Sequence, residues 1–349
     1  MYHFLILAFM LIPIFNGTPA QNAAMSFEHG GTITAAGWNN EGTQLFTAGD
    51  DGRLILWDVA SGAVLAELQH DSPLLGAVWG EGDHLLTWQE NGLITLWDTA
   101  SLSQLWQVSL EDAPRTVVWD RQHSRILAYT QHEVGIWTLN DGELLFTTQI
   151  ETPLASANWS GEDAVYLFDE ENNVRRFSLS DGEELSAFSL QHRGMLLGAR
   201  LNQDETRLLT WHVDGFAIVW QIDGQRADRI HTFRHRTFVS GGRWNTAETR
   251  IMTWAADDTV KLWDAQTGEE LRVLTHPDWA DGALWNPDER YILTWAHTIA
   301  YIWDEDGVLI PFQHPDLVRG AMWNKQGDHV LTWAWDGIAR LWALPQEED

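Results

Sequence analysis

Residues 252–264, MTWAADDTVKLWD, set two short apolar runs on either side of an acidic turn, with tryptophans nine residues apart. The same alternation of β-rich runs and polar turns recurs along the chain, so it is read first as a repeat. Aligned on the second tryptophan of that stretch, one rung is Trp57, Trp97, Trp137, Phe177, Trp220, Trp263, Trp303 and Trp342, at intervals of 40, 40, 40, 43, 43, 40 and 39. A second rung lies 18 or 19 residues upstream: Trp38, Trp79, Trp119, Trp159, Leu201, Trp244, Trp285 and Trp323. A third lies eight or nine upstream: Ala48, Trp88, Tyr129, Phe168, Trp211, Trp254, Trp295 and Trp333. The ladders take up 19 of the 22 tryptophans, so tryptophan here is framework.

Turn chemistry separates the rungs. Asp51-Gly52, Asn91-Gly92, Asp214-Gly215 and Asp336-Gly337 fall between the second and third strands of a unit, where a tight hairpin needs positive φ. Each unit is therefore predicted to be four short antiparallel strands, a to d. A four-stranded sheet cannot bury both apolar faces alone, so neighbouring units must stack. Each ladder tryptophan can bury about 150–250 Å², so the ladders are the expected source of cohesion.

At this point the chain resembles the WD-repeat β-propeller family, in a tryptophan-rich, bacterial-type form, over residues 26–345 and in eight copies. Asp58, Asp98, Asp264 and Asp304 follow the strand-c rung. A histidine lies nine residues before the strand-a rung in six copies: His29, His70, His192, His235, His276 and His314, with Leu110 and Ile150 in the other two. The resemblance implies that this histidine closes a structural network with a turn aspartate, a strand-b hydroxyl and the strand-c tryptophan. By position, Asp51, Asp214, Asp257 and Asp336 match the aspartate. The hydroxyl position is read as Gly49, Gln89, His212, Ala255 and Ala334, so a His–Asp pair without the full network is expected, with the extra strand-b tryptophan supplying apolar packing in its place. The fold expected is all-β: an eight-bladed propeller of four-stranded antiparallel blades. Residues 24–29 have the length to complete the last blade, which closes the ring without an exposed edge strand.

Composition narrows the function. There are 50 acidic and 21 basic residues, a formal charge of −29, only two lysines (Lys261 and Lys325) and no cysteine. Such a surface repels nucleic acid and anionic membranes. The lack of cysteine removes disulfides and thiol chemistry. Residues 4–15, FLILAFMLIPIF, followed by small residues, read as a signal peptide over 1–24, cleaved after Ala20 or Ala24. The propeller then spans 25–345 and an acidic tail 346–349. The mature protein is expected to be exported, periplasmic or extracellular, with no membrane span. If synthesis starts at Met25 it is cytoplasmic instead.

Candidate chemistry is sparse. The paired acids Asp50-Asp51 and Asp257-Asp258 recur at one turn position and read as hairpin chemistry rather than a hydrolytic pair. His84, His123 and His329 share no metal-ligand spacing. Neither catalytic residues nor a cofactor or metal site is predicted. Differences between repeats say more. Residues 26–170 hold 22 acids and four arginines, whereas residues 171–250 hold ten and 11. Three residues after the histidine position, the first four copies carry Thr32, Pro73, Ala113 and Pro153, and the last four carry Met195, Phe238, Trp279 and Leu317. Trp335 falls in a strand b–c turn on the same face. Large apolar groups beside arginines have the composition of interface hot spots. Met195, Phe238, Trp279, Leu317 and Trp335, with Arg193 and Arg236, are therefore the candidate partner-binding arc of a non-enzymatic, monomeric ring that holds an unidentified protein. Two other classes are a quinoprotein-type propeller and a glycan or small-ligand binder using the central channel, toward which Arg115, Asp281 and Arg319 are expected to point.

Overall fold

The computed structural model describes residues 23–344. The predicted signal peptide, except residues 23–24, and the acidic tail lie outside the described residues. Eight four-stranded antiparallel sheets follow one another in chain order. Blades 1 to 7 are residues 33–69, 74–109, 116–149, 154–189, 196–234, 239–275 and 280–313. Blade 8 takes three strands from residues 318–343 and its outer strand, β1 (Met25–Glu28), from the other end of the chain. The register runs from Met25 opposite Leu341 to Glu28 opposite Ile338, so the ring closes as expected.

The apolar core is divided into eight clusters, each shared by two consecutive blades. At the closing junction Phe27 is fully buried and meets Trp57 edge to face at 5.6 Å. The strand-c tryptophans are buried in these layers, except Trp97, which is half-buried. The strand-b tryptophans Trp88, Trp211, Trp254, Trp295 and Trp333 each lie directly opposite a strand-a glycine: Gly76, Gly198, Gly241, Gly282 and Gly320. A Cβ on any of these glycines would sit 2.0–2.3 Å from the indole. Where strand b carries Ala48, Tyr129 or Phe168, the opposite residue is Ala35, Thr116 or Ser156. Gly–Trp is thus one packing unit, in which the indole takes the space that a side chain on strand a would fill.

The expected loss of the polar network is corrected by the structure. The hydroxyl comes from the residue before the strand-b rung, not the one after it. Thr47 receives the Trp57 indole N–H at 2.9 Å and meets His29 at 2.7 Å, while His29 also meets Asp51 at 3.2 Å. Blade 6 is equally complete: Thr253 accepts from Trp263 at 2.8 Å and meets His235 at 2.8 Å, and His235 meets Asp257 at 3.2 Å. Blades 2 and 7 keep the histidine–threonine–tryptophan part, through His70, Thr87 and Trp97 and through His276, Thr294 and Trp303. In blade 5, His192 pairs with Asp214 at 2.9 Å while Trp220 bonds Thr210. In blade 8, Trp342 bonds Thr332, but Asp336 is engaged by Arg340, which also reaches His314. Asp336 therefore does not serve the histidine directly. Trp137 belongs to one of the two blades that lack the histidine, and those blades also lack the threonine, holding Leu110 with Ala128 and Ile150 with Leu167. Network and extra tryptophan coexist, because residues 253 and 254 face opposite sides of one strand.

Neighbouring blades are also stapled by hydrogen bonds. Glu205, Glu248 and Glu289 sit at φ of 57°, 55° and 60° in the strand a–b turns. Glycine takes the left-handed position at Gly42, Gly82 and Gly327 in other blades. Each glutamate reaches back to the preceding blade: Glu248, for example, accepts from the Gln203 backbone N–H and from Asn202 at 3.0 Å.

Candidate interaction face

The turns between strands d and a and between strands b and c lie at one end of the ring, and they are tied to each other. Val213 donates its backbone N–H to Met195, Ala256 to Phe238, and Trp335 to Leu317 at 2.9 Å. These bonds hold the apolar residues of both turns at one level. Met195, Phe238, Trp279 and Trp335 stand 44, 36, 55 and 47% exposed, and Leu317 is half-buried. Phe238 and Trp279 cross edge to face at 5.9 Å, bridging blades 6 and 7. In blade 8 the Arg319 guanidinium lies 5.6 Å from the Trp335 ring centre. Val213, 43% exposed on the equivalent turn of blade 5, extends the patch. Its sequence signal is its equivalence to Trp335, which only the repeat alignment exposes.

The two arginines assigned to the arc differ. Arg236 turns back on its own blade, its backbone N–H and guanidinium both donating to Asp257. That leaves it a structural clamp with little freedom to meet a partner. Arg193 is exposed with no such tie, and with Met195 it lines a notch of about 460 Å³ bounded by Pro153, Glu170, Glu171 and His192. The arc therefore has a concave end at blades 4 and 5 and a flat aromatic end at blades 7 and 8.

The channel residues take shape from a β-bulge. In seven strands a the pairing skips one residue, among them Thr34, Leu75, Ser240, Asp281 and Arg319. A bulge of this kind re-aims the extra side chain. Arg115 instead donates to the Leu154 carbonyl at 2.6 Å and stands 3.6 Å from Glu170, so it is spent between blades. Asp281 and Arg319 occupy matching positions on adjacent blades. Burial pushes the Asp281 carboxyl above the usual carboxylate range, against the pull of the His297 backbone N–H and Arg319. Among the described residues no group of three or more histidines and carboxylates could hold a metal ion. No helix among them is long and apolar enough to cross a membrane.

Comparison with known proteins places this geometry. The family model described as "WD domain, G-beta repeat" matches residues 23–58. A Dictyostelium discoideum protein, "Retinoblastoma-binding-like protein E", is 39% identical over 51 residues, 15% of this chain and 10% of the relative, so the match spans a tenth of that protein's length. Among solved structures, the C-terminal WD40 domain of Sif2 superposes with a TM-score of 0.82 at 15% identity, covering 94% of this chain and 99% of that one. Saccharomyces cerevisiae Sqt1 gives 0.82 at 12% identity, covering 94% and 100%. The computationally designed protein Ika8 gives 0.79 at 18% identity, covering 93% and 100%. With the repeat, the closed ring and these superpositions in agreement, the chain is an eight-bladed β-propeller of the WD40 fold, and its residues 23–58 match the WD-repeat family model.

Proposed function

We propose that this propeller is a non-enzymatic interaction platform that holds a protein partner across blades 5 to 8. The observation that carries the reading is the exposed arc of Met195, Phe238, Trp279 and Trp335 on one face of an otherwise strongly acidic ring. Large exposed apolar groups grouped together mark binding surfaces, and a rigid scaffold lowers the entropic cost of presenting them. Affinity would come from the aromatic end, and Arg193 beside the notch would receive an acidic group. The acidic remainder would repel acidic competitors. The Dictyostelium relative carries protein binding in its name, which accords with this class of function. Export through residues 1–24 belongs to the same proposal and rests on the apolar run of residues 4–15. N-terminal sequencing of the protein recovered from its source would test it, a terminus near residue 21 or 25 with loss of the leader supporting it.

The test of the platform is a paired capture from native extract, with the wild type and a Phe238→Ser/Trp279→Ser/Leu317→Ser variant. Because Phe238 and Trp279 are exposed, the variant should melt close to the wild type. A protein retained by the wild type and lost by the folded variant supports the arc. If the variant melts as low as a ladder-tryptophan variant, the arc is internal packing and the reading fails.

A further inference from the structure

The other end of the channel, where strands a finish, has a different chemistry. In blades 5 to 8 the residue before the strand-a rung is Arg200, Arg243, Leu284 or Met322, and all four line one basin of about 680 Å³. Trp244, Trp285 and Trp323 form its floor, and Arg121 and Lys325 are also on its wall. Glu248 is the single carboxylate among the lining residues, and its oxygens are already engaged by Gln203 and Asn202. Four cationic groups thus meet one committed acid, in a chain whose acids outnumber its bases 50 to 21.

The two arginines are unmatched. Neither Arg200 nor Arg243 makes a hydrogen bond or ion pair among the described residues, and Arg243 Nε is buried without a partner. Burial, followed by repulsion from Arg200, pushes Arg243 down to about 10. Arg200 is exposed and lines the basin, so it is accessible from it. By contrast, the arginines just outside are matched. Arg207 and Arg250 lie over the Trp244 and Trp285 rings and stand 3.6 Å from Glu248 and 3.1 Å from Glu289. A cation held partly out of water without a counter-charge is costly; half-buried Arg243, with the exposed Arg200 beside it, is a receptor for one. Guanidinium groups take carboxylate and phosphate oxygens in bidentate fashion. Leu201, Leu284, Pro287 and Met322 on the same wall give an apolar body somewhere to lie.

We infer that this basin binds a small organic oxyanion, its carboxylate or phosphate head on Arg200 and Arg243 and its apolar body against Leu284 and Met322. The site is at the opposite end of the ring from the protein-docking arc and does not depend on it.

The experiment is calorimetric titration of the full protein with phenyl phosphate, benzoate and inorganic phosphate, beside an Arg200→Gln/Arg243→Gln variant and a control, Arg226→Gln, in the exposed strand c–d turn of blade 5. Saturable binding of phenyl phosphate or benzoate is expected, weakened at least about tenfold in the double variant by loss of the charge-assisted bonds and unchanged in the control. The stronger of the two organic probes identifies the head group, and inorganic phosphate should bind more weakly than phenyl phosphate because it lacks the apolar body. No saturation by any probe in the millimolar range, or equal binding to the double variant, overturns the proposal. Melting without ligand supplies the second readout. Arg243→Gln should melt no lower than the wild type, since it removes a repelling charge. A clear drop would show that Arg243 is held by the fold and would also overturn the proposal.

Discussion

Replacing His276 and Thr294 together by leucine should remove a defined part of the protein's sensitivity to acid. His276 is buried, meets Thr294 at 2.7 Å, and is pushed by burial from an ordinary 6.5 down to about 4. The folded state therefore refuses a proton that the unfolded chain accepts below pH 6.5. Stability from this group is fully present above that value and is lost as pH falls toward 4. Between pH 7 and pH 5 the linkage relation gives a loss of about 2 kcal/mol for one such histidine. His212 and His314 are also pushed down to about 4, chiefly by burial, with His192 and Arg340 adding to it. The three together lose about 5 kcal/mol over that range, a sizeable share of the 5–15 kcal/mol typical of a domain. The Leu/Leu variant comes close to what blade 4 already holds in Ile150 with Leu167, and blade 3 is likewise apolar there, with Leu110 and Ala128. It strands the Trp303 indole N–H, so it should be less stable at pH 7 by about 1–3 kcal/mol. Its loss on going to pH 5 should nonetheless be smaller than the wild type's by about 2 kcal/mol. Urea unfolding followed by tryptophan fluorescence at both pH values measures this, with the m-value checked for constancy. Equal losses in the two proteins would refute the reasoning, and the acid sensitivity would then lie elsewhere.

Gly241→Ala should destabilise by about 1–3 kcal/mol through overpacking, since its Cβ would lie 2.2 Å from Trp254. In a Trp254→Ala background the same change should cost little, and a double-mutant cycle by urea unfolding that shows simple additivity would contradict the Gly–Trp unit. Glu248→Ala should cost more than Glu248→Gly by roughly 1 kcal/mol, because both lose the staple to blade 5 but only alanine keeps the left-handed strain at φ 55°. The reverse order in thermal melting would mean that the backbone relaxes there. Phe27→Ala should lower stability by about 3–5 kcal/mol, as the fully buried ring joins the two ends of the chain at Trp57. A loss below 1 kcal/mol would argue that the ring holds without β1.

The eightfold repeat, the four-strand unit and the closure by residues 25–28 were legible in the sequence because each rests on local signals. Rung spacing, Asp-Gly and Asn-Gly turns, and the remainder left when the last repeat is counted all lie along the chain. The exposed positions Met195, Phe238, Trp279 and Trp335 were legible for the same reason, since equivalent repeat positions occupy equivalent depths. The identity of the network hydroxyl was not. Residues 253 and 255 lie on the same face of strand b, because side chains alternate with a period of two. Periodicity cannot say which is level with His235 and Trp263; the pairing of strands b and c places Thr253 there. Arg236 likewise has the residue type of an interface group, and only the fold turns it onto Asp257. Arg200 and Arg243 are 43 residues apart and look like ordinary strand charges in one dimension. The stacking of blades 5 and 6 brings them to one basin, where they repel each other and have no acid as partner. Repetition determines what each blade is, whereas the meeting of residues from different blades is decided by how the blades stack, which no local pattern encodes.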